Sequence, residues 1–262
     1  MRHVFGCTAL VLVASATAAS GQGIGDRIAA ARDGTVRLAY AVKDGICGDG
    51  ETYIRDRSRG ENNYIGEWSG KGGWRERPCE PGPARVAITK LDGSVTRIRV
   101  YVGGDWRSDG TTTTDLGTVS APAAAKALVA LAGREHRAGQ AIFAALIADS
   151  AVVWPDLLAL AKNTAAPTSN RKDAVFWLSQ EAGDAATKGI AELADDQDQD
   201  REVRDQAVFA LSQLPSDKGI PILIRLVRSN RDPKVRRKAL FWLGQSDDPR
   251  ALALIEEILT KG

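Results

Sequence analysis

Residues 174–180 read AVFWLSQ, residues 207–213 read AVFALSQ and residues 239–245 read ALFWLGQ. Their opening alanines are 33 and 32 residues apart, and one step of 33 back from Ala174 reaches Ala141, which opens AIFAAL. A second apolar marker keeps the same register. DLLALA (156–161), GIAELA (189–194), ILIRLV (222–227) and LIEEIL (254–259) place Leu157, Ile190, Leu223 and Ile255 at spacings of 33, 33 and 32. Two helical markers sharing one period of this size define a stack of two-helix units, a solenoid of about four repeats. No unit buries its apolar stripe alone, so each depends on its neighbours.

Several residue rows follow from the period. In the third copy Val203, Ala207, Ala210, Leu211 and Leu214 form one helical stripe, with alanines that let helices approach closely. Phe143, Phe176, Phe209 and Phe241 recur toward a flank, where they are expected to pack between units. Pro155 and Pro221 occupy one repeat position, expected near the start of each second helix, where a missing N–H costs little. Gln180, Gln213 and Gln245 end the first helices and are expected to hydrogen-bond locally at the turn. Glu192, Arg225 and Glu257 share one position on the second helices; Lys162, Asp195 and Arg228 share another. Both rows alternate in sign, which predicts cross-unit ion pairs on a solvated face, each worth little alone.

The chain ahead of Ser120 has another texture. TVRLAYAV (35–42) alternates with a period of two. RVAITKL (85–91) and SVTRIRVYV (94–102) flank Asp92-Gly93, a hairpin signal that pairs Ile88 with Ile98 and Val86 with Val100. Residues 25–34 suit a short helix, and RSDGTTTTDLG (107–117) reads as a loop joining the two halves. Residues 45–82 hold nine glycines with Cys47, Cys79, Trp68 and Trp74, a poor hydrophobic core. The expected fold class is therefore α+β: a small antiparallel β domain over 21–119, then an all-α solenoid of helical hairpins over 120–262.

The first twenty residues, MRHVFGCTALVLVASATAAS, have a short basic start, an apolar stretch and small residues in A-x-A patterns. This is the form of a secretory signal peptide over 1–20, which predicts an exported, periplasmic or extracellular protein with no membrane span after cleavage. Loss of Arg2 would leave 34 basic against 33 acidic residues, which argues against a nucleic-acid partner. In an oxidising compartment Cys47 and Cys79 are expected to form a disulfide; the two thiolates and the distant His136 fall short of the four ligands of structural zinc.

DPKVRRKALFWLGQSDDPRALALIEEIL (232–259) and DREVRDQAVFALSQ (200–213) resemble HEAT repeats of the short kind found in phycobilisome-lyase-like proteins. Each has an acidic residue, then Val-Arg, then alanine and leucine three to four residues apart, then a turn and a second apolar helix. NRKDAVFWLSQ (170–180) keeps Arg171 but has Asn170 where valine is expected, and the copy at 138–161 has Ala138 in place of the arginine. The resemblance covers the helical half and none of the β half. It implies a fold and leaves function open, because such repeats serve many roles.

Two enzyme activities occur among proteins of this resemblance, and the residues oppose both. Di-iron hydroxylases use His-Glu pairs on successive repeats, whereas His136 follows Glu135 and is the one histidine beyond His3. Bilin lyases act inside photosynthetic cells, which conflicts with a signal peptide. DDQDQD (195–200) has the first ligand spacings of a calcium loop, but Arg201 and Ala207 replace its glycine and closing glutamate. No catalytic residues, metal or cofactor are expected. The leading function is a protein-interaction scaffold, with Arg225, Arg228 and Arg231 as candidate partner-binding residues within the basic stretch 224–238. The alternatives are an envelope- or carbohydrate-binding protein using Trp68, Trp74 and Trp106 in glycine-rich loops, and an enzyme of unrecognised type.

Overall fold

The structure is a computed structural model that describes residues 23–51, 53–59, 79–106, 110–136, 138–180 and 183–261. The predicted signal peptide, Trp68 and Trp74 lie outside the described residues. In the first half, helix α1 (Ile24–Ala30) precedes strands β1 (Gly34–Tyr40), β2 (Ile46–Gly48), β3 (Ile54–Asp56), β4 (Ala84–Leu91), β5 (Ser94–Val102) and β6 (Thr113–Thr118). The helices that follow are α2 (Ala121–Ala132), α3 (Gly139–Leu146), α4 (Trp154–Lys162), α5 (Thr168–Gln180), α6 (Asp184–Asp195), α7 (Arg201–Ser212), α8 (Ser216–Ser229), α9 (Pro233–Gly244) and α10 (Pro249–Lys261). The expected α+β class, a small β part followed by a helical solenoid, is what the chain forms.

β5, β4, β1 and β6 lie in that order in one sheet, and β2 pairs with β3 in a second, smaller one. The β4–β5 hairpin pairs Val86 with Val100 and Ile88 with Ile98, as the alternation requires. Its two-residue turn puts Asp92 and Gly93 at φ 51° and 75°, the left-handed region that an Asp-Gly pair tolerates. The segment read as a linking loop contains β6, which runs parallel to β1 through pairs such as Thr35 with Thr113. Leu116 is the one buried side chain of this strand. The segment is thus a strand because the free edge of β1 accepts it, and an Arg37–Asp115 ion pair of 2.8 Å fastens it there.

The sheet is joined to the solenoid without a break in the core. One buried cluster runs from Ile28 and Leu38 through Leu128 and Ile142 to Leu243 and Leu254. Tyr40 is fully buried and its hydroxyl donates to the Ala144 carbonyl at 2.6 Å. Burial pushes that phenol far above its ordinary pKa, so it remains a donor. The Lys43 amide donates to Ile147 and the Asp149 amide to Ala41, both at 2.9 Å. β structure thus covers the first unit of the stack, as a repeat array requires of its terminal neighbour.

In the solenoid, α3, α5, α7 and α9 form one layer and α2, α4, α6, α8 and α10 the other. Helix α2 stands ahead of the first unit in the second-helix layer. Two details depart from the periodic expectation. Pro155 sits in the first turn of α4, but Pro221 lies inside α8, because α8 gains an extra turn at Ser216–Gly219. In α10 the most buried positions are Ala251 and Leu254, one residue earlier than the aligned Ile255.

Gly219 sets the approach of α8 to α7. A Cβ there would lie 2.3 Å from the Leu211 carbonyl oxygen, which is backbone and has nowhere to move. Gly219→Ala is expected to cost about 2 kcal/mol, outweighing a helix-propensity gain of up to about 1 kcal/mol. At Gly189 the nearest obstacle is the Leu158 side chain at 2.6 Å, which can rotate away. Gly189→Ala is therefore expected to cost less, and urea unfolding of the two variants side by side tests that order.

Candidate functional site

The units are tied together by polar side chains near the ends of the helices. Arg171, in α5, is fully buried. Its Nε donates to the Ala161 carbonyl at 3.2 Å, one terminal nitrogen to Asp200 at 2.5 Å and the other to Gln199. Gln199 in turn donates to the Lys162 carbonyl at 3.3 Å. One guanidinium therefore joins α5 to the end of α4 and to the residue that opens α7. One period on, Arg204 pairs with Asp232, the N-cap of α9, at 2.9 Å. The Lys234 amide and Arg204 together hold the Asp232 carboxyl below the usual range. The acidic residue and the Val-Arg of the sequence pattern thus meet across successive units. Asn170 departs from that pattern for a structural reason: it is buried, and its amide donates to the Ala132 and Glu135 carbonyls, both at 2.8 Å, tying α5 to the end of α2.

The charged rows on the second helices form cross-unit ion pairs as expected, and each pair joins one row to the other. Lys162 meets Glu192 at 2.7 Å, Arg225 meets Asp195 at 2.7 Å and Arg228 meets Glu257 at 2.8 Å. Lys162 holds the Glu192 carboxyl below its usual pKa, chiefly through their hydrogen bond. Arg225 and Arg228 are therefore engaged in neutralising cross-unit pairs. Arg231 is exposed at the start of the α8–α9 turn, without an ion-pair partner among the described residues. The structure does not gather the three arginines into one free surface.

The other motifs resolve as follows. Cys47 and Cys79 are disulfide-bonded with their Cα atoms 5.1 Å apart, and the neighbouring Gly48 and Glu80 exchange backbone hydrogen bonds. In the acidic run, Asp195 also accepts from Asn230, Asp196 from the Asp198 amide and Asp200 from Arg171 and Thr168. His136 is exposed. Among the described residues no group of three His, Cys, Asp or Glu side chains is placed to hold a metal ion, and no helix is long and apolar enough to cross a membrane. The Trp106 ring lies under the Arg37 guanidinium, 5.2 Å from its centroid. Gln180 and Gln213 donate to Ser179 and Ser212 at the ends of their own helices, the local role expected of that row.

The first-helix layer presents a different face. Phe143 and Phe209 pack between units, each against the tryptophan of the next unit: Phe143 on Trp177 at 6.0 Å and Phe209 on Trp242 at 5.1 Å between centroids. Phe176 and Phe241 are instead 38% and 55% exposed. The residue after each phenylalanine explains the alternation: it is Ala144, Trp177, Ala210 and Trp242 in turn. Beyond Phe176 the next unit offers Ala210, too small to cover a ring. Each exposed phenylalanine meets the tryptophan that follows it edge-on, at 5.1 Å.

On α9 the exposed phenylalanine has a charged setting. Lys234, Arg237, Lys238 and Phe241 follow helical spacing on one face, with Lys234, Arg237 and Phe241 exposed and Lys238 half-buried. Among the described residues none of the three cations forms a salt bridge. The matching positions on α7 are Glu202, Asp205, Gln206 and Phe209. Sequence reasoning recognised the cation-rich stretch but did not separate its two faces. Aligning the first helices as the second helices were aligned exposes the difference: Ser169, Glu202, Lys234 and Lys172, Asp205, Arg237.

The family model for HEAT repeats matches residues 187–262, a stretch that runs from within α6 through α10. This part of the chain is similar to repeats that commonly mediate protein–protein interaction. No curated protein matches the chain.

Proposed function

We propose that this chain is an exported, non-enzymatic protein-interaction scaffold. The carrying observation is the contrast between the two layers of the stack. Among the described residues the second-helix layer is closed by four cross-unit ion pairs, whereas the first-helix layer exposes Phe176, and exposes Phe241 beside unpaired cations. Exposed aromatics on a rigid repeat surface are the usual anchors of protein recognition. The motif around Val235-Arg236 supports the short, phycobilisome-lyase-like repeat type. Export rests on the form of residues 1–20 and on the Cys47–Cys79 disulfide, which suits an oxidising compartment.

A photo-crosslinking amino acid placed at Phe176 or Phe241 of the full chain in its source cells is expected to trap one reproducible protein species. The same group at Arg228 is expected to trap none. Equal yields of adducts from both layers, or none from either, would overturn the scaffold reading. Export is read from the mass of the chain in a cell-envelope fraction, which is expected to lack about the first 20 residues.

A further inference from the structure

We propose that the exposed face of α9, made by Lys234, Arg237, Lys238 and Phe241 with Arg231 ahead of them, docks an acidic segment of a partner protein that also carries an apolar side chain. This surface rests on the scaffold reading and specifies its partner.

Charge decides the occupant. The stretch 224–238 holds one carboxylate, Asp232, and Arg204 of the preceding unit already takes it at 2.9 Å. Arg236, on the same helix, donates to the Asn230 carbonyl at 2.8 Å and is half-buried. Arg231, Lys234, Arg237 and Lys238 thus remain without a salt bridge among the described residues, while Lys218, Arg225 and Arg228 of the adjacent α8 are each paired with a carboxylate. Unpaired cations at one end of an otherwise balanced surface attract a segment of opposite charge and set its orientation.

The aromatic side chain excludes a purely ionic site. Phe241 is 55% exposed and stands edge-on to Trp242, whose ring is itself packed on Phe209. A ring held in this way offers apolar area with little ordering cost on binding, which suits an apolar anchor between acidic residues. Nucleic acid fits poorly. A phosphate backbone needs one sign of charge along its track, and the preceding unit presents Glu202 and Asp205 at the equivalent positions. The basic face spans about two helical turns, the reach of a short peptide segment.

The test uses the full oxidised chain and a panel of fluorescein-labelled acidic dodecapeptides, each with one phenylalanine or leucine at a varied position. Fluorescence anisotropy is expected to show saturable binding that weakens as salt is raised. The combined change Lys234→Glu, Arg237→Glu, Lys238→Glu is expected to weaken binding by at least ~10-fold, and Phe241→Ala by about 5-fold. Arg225→Glu with Arg228→Glu should leave it unchanged. These side chains are exposed except Lys238, which is half-buried, and circular dichroism before titration confirms that each variant is folded. Three results overturn the proposal: no binding up to about 1 mM of any peptide, equal binding by the triple variant, or a Phe241→Ala variant as tight as the parent while single-stranded DNA competes fully. If the crosslinked partner of the preceding experiment persists in the triple variant, the scaffold reading stands and this surface falls.

Discussion

Replacing Arg171 with alanine is expected to lower the unfolding free energy by about 3 kcal/mol. The guanidinium is fully buried and holds three acceptors at once: the Ala161 carbonyl at the end of α4, Asp200 ahead of α7, and Gln199 between them. Its removal leaves a helix-end carbonyl without its donor and opens a void between units. The Asp200 side chain is 48% exposed, so water takes over part of its share and the loss stays at the low end for a buried pair. Arg171→Lys should recover less than half of the loss, because an ammonium cannot present the planar fork that reaches all three partners. Arg204→Ala is the internal control. Arg204 is 13% exposed and makes one ion pair, with Asp232. Its loss is expected to cost about 1–2 kcal/mol. Urea unfolding followed by circular dichroism decides; an Arg171→Ala cost no larger than that of Arg204→Ala would remove the network from the account of stability.

Loss of the disulfide is the second large effect. Cys47→Ser with Cys79→Ser is expected to lower stability by about 3–4 kcal/mol on the chain-entropy model for a loop of this size. The bond spans a sequence separation of 32 and holds β2 beside the chain that leads into β4. Among the described residues of this region, the buried aliphatic side chains are Ile46 and Ile54. Comparing urea midpoints of the parent chain with and without a reductant, and then the double variant, tests this. An unchanged midpoint on reduction would show that hydrogen bonding around Gly48 and Glu80 already suffices.

The helical half was legible because its period makes equivalent residues neighbours. Once Ala141, Ala174, Ala207 and Ala239 align, so do the charged rows, and their alternating sign signals cross-unit ion pairing; the partners, Lys162–Glu192, Asp195–Arg225 and Arg228–Glu257, join one row to the other and come from the structure. The Asp92-Gly93 hairpin was legible for a local reason: two residues that tolerate a positive φ sit between two alternating runs. β6 was not legible, since Leu116 is its single buried side chain and its partner, β1, lies far back in the chain. Nor was the depth of Arg171, because arginine is ordinarily a surface residue and nothing within its own helix marks it as buried.

The candidate surface divides in the same way. The sequence shows a cation-rich stretch at 224–238, but it does not show that Arg225 and Arg228 face carboxylates of neighbouring helices while Lys234, Arg237 and Lys238 meet none among the described residues. By itself the sequence determined the solenoid, its repeat length and the two charged rows of alternating sign on the second helices, because each follows from spacing along one dimension. Only the tertiary structure decided which arginine is buried, which phenylalanine is covered and which cations are left unpaired. Those outcomes depend on how large the facing side chain is and how close it lies, Ala210 against Trp242 for instance, and a linear pattern carries neither quantity.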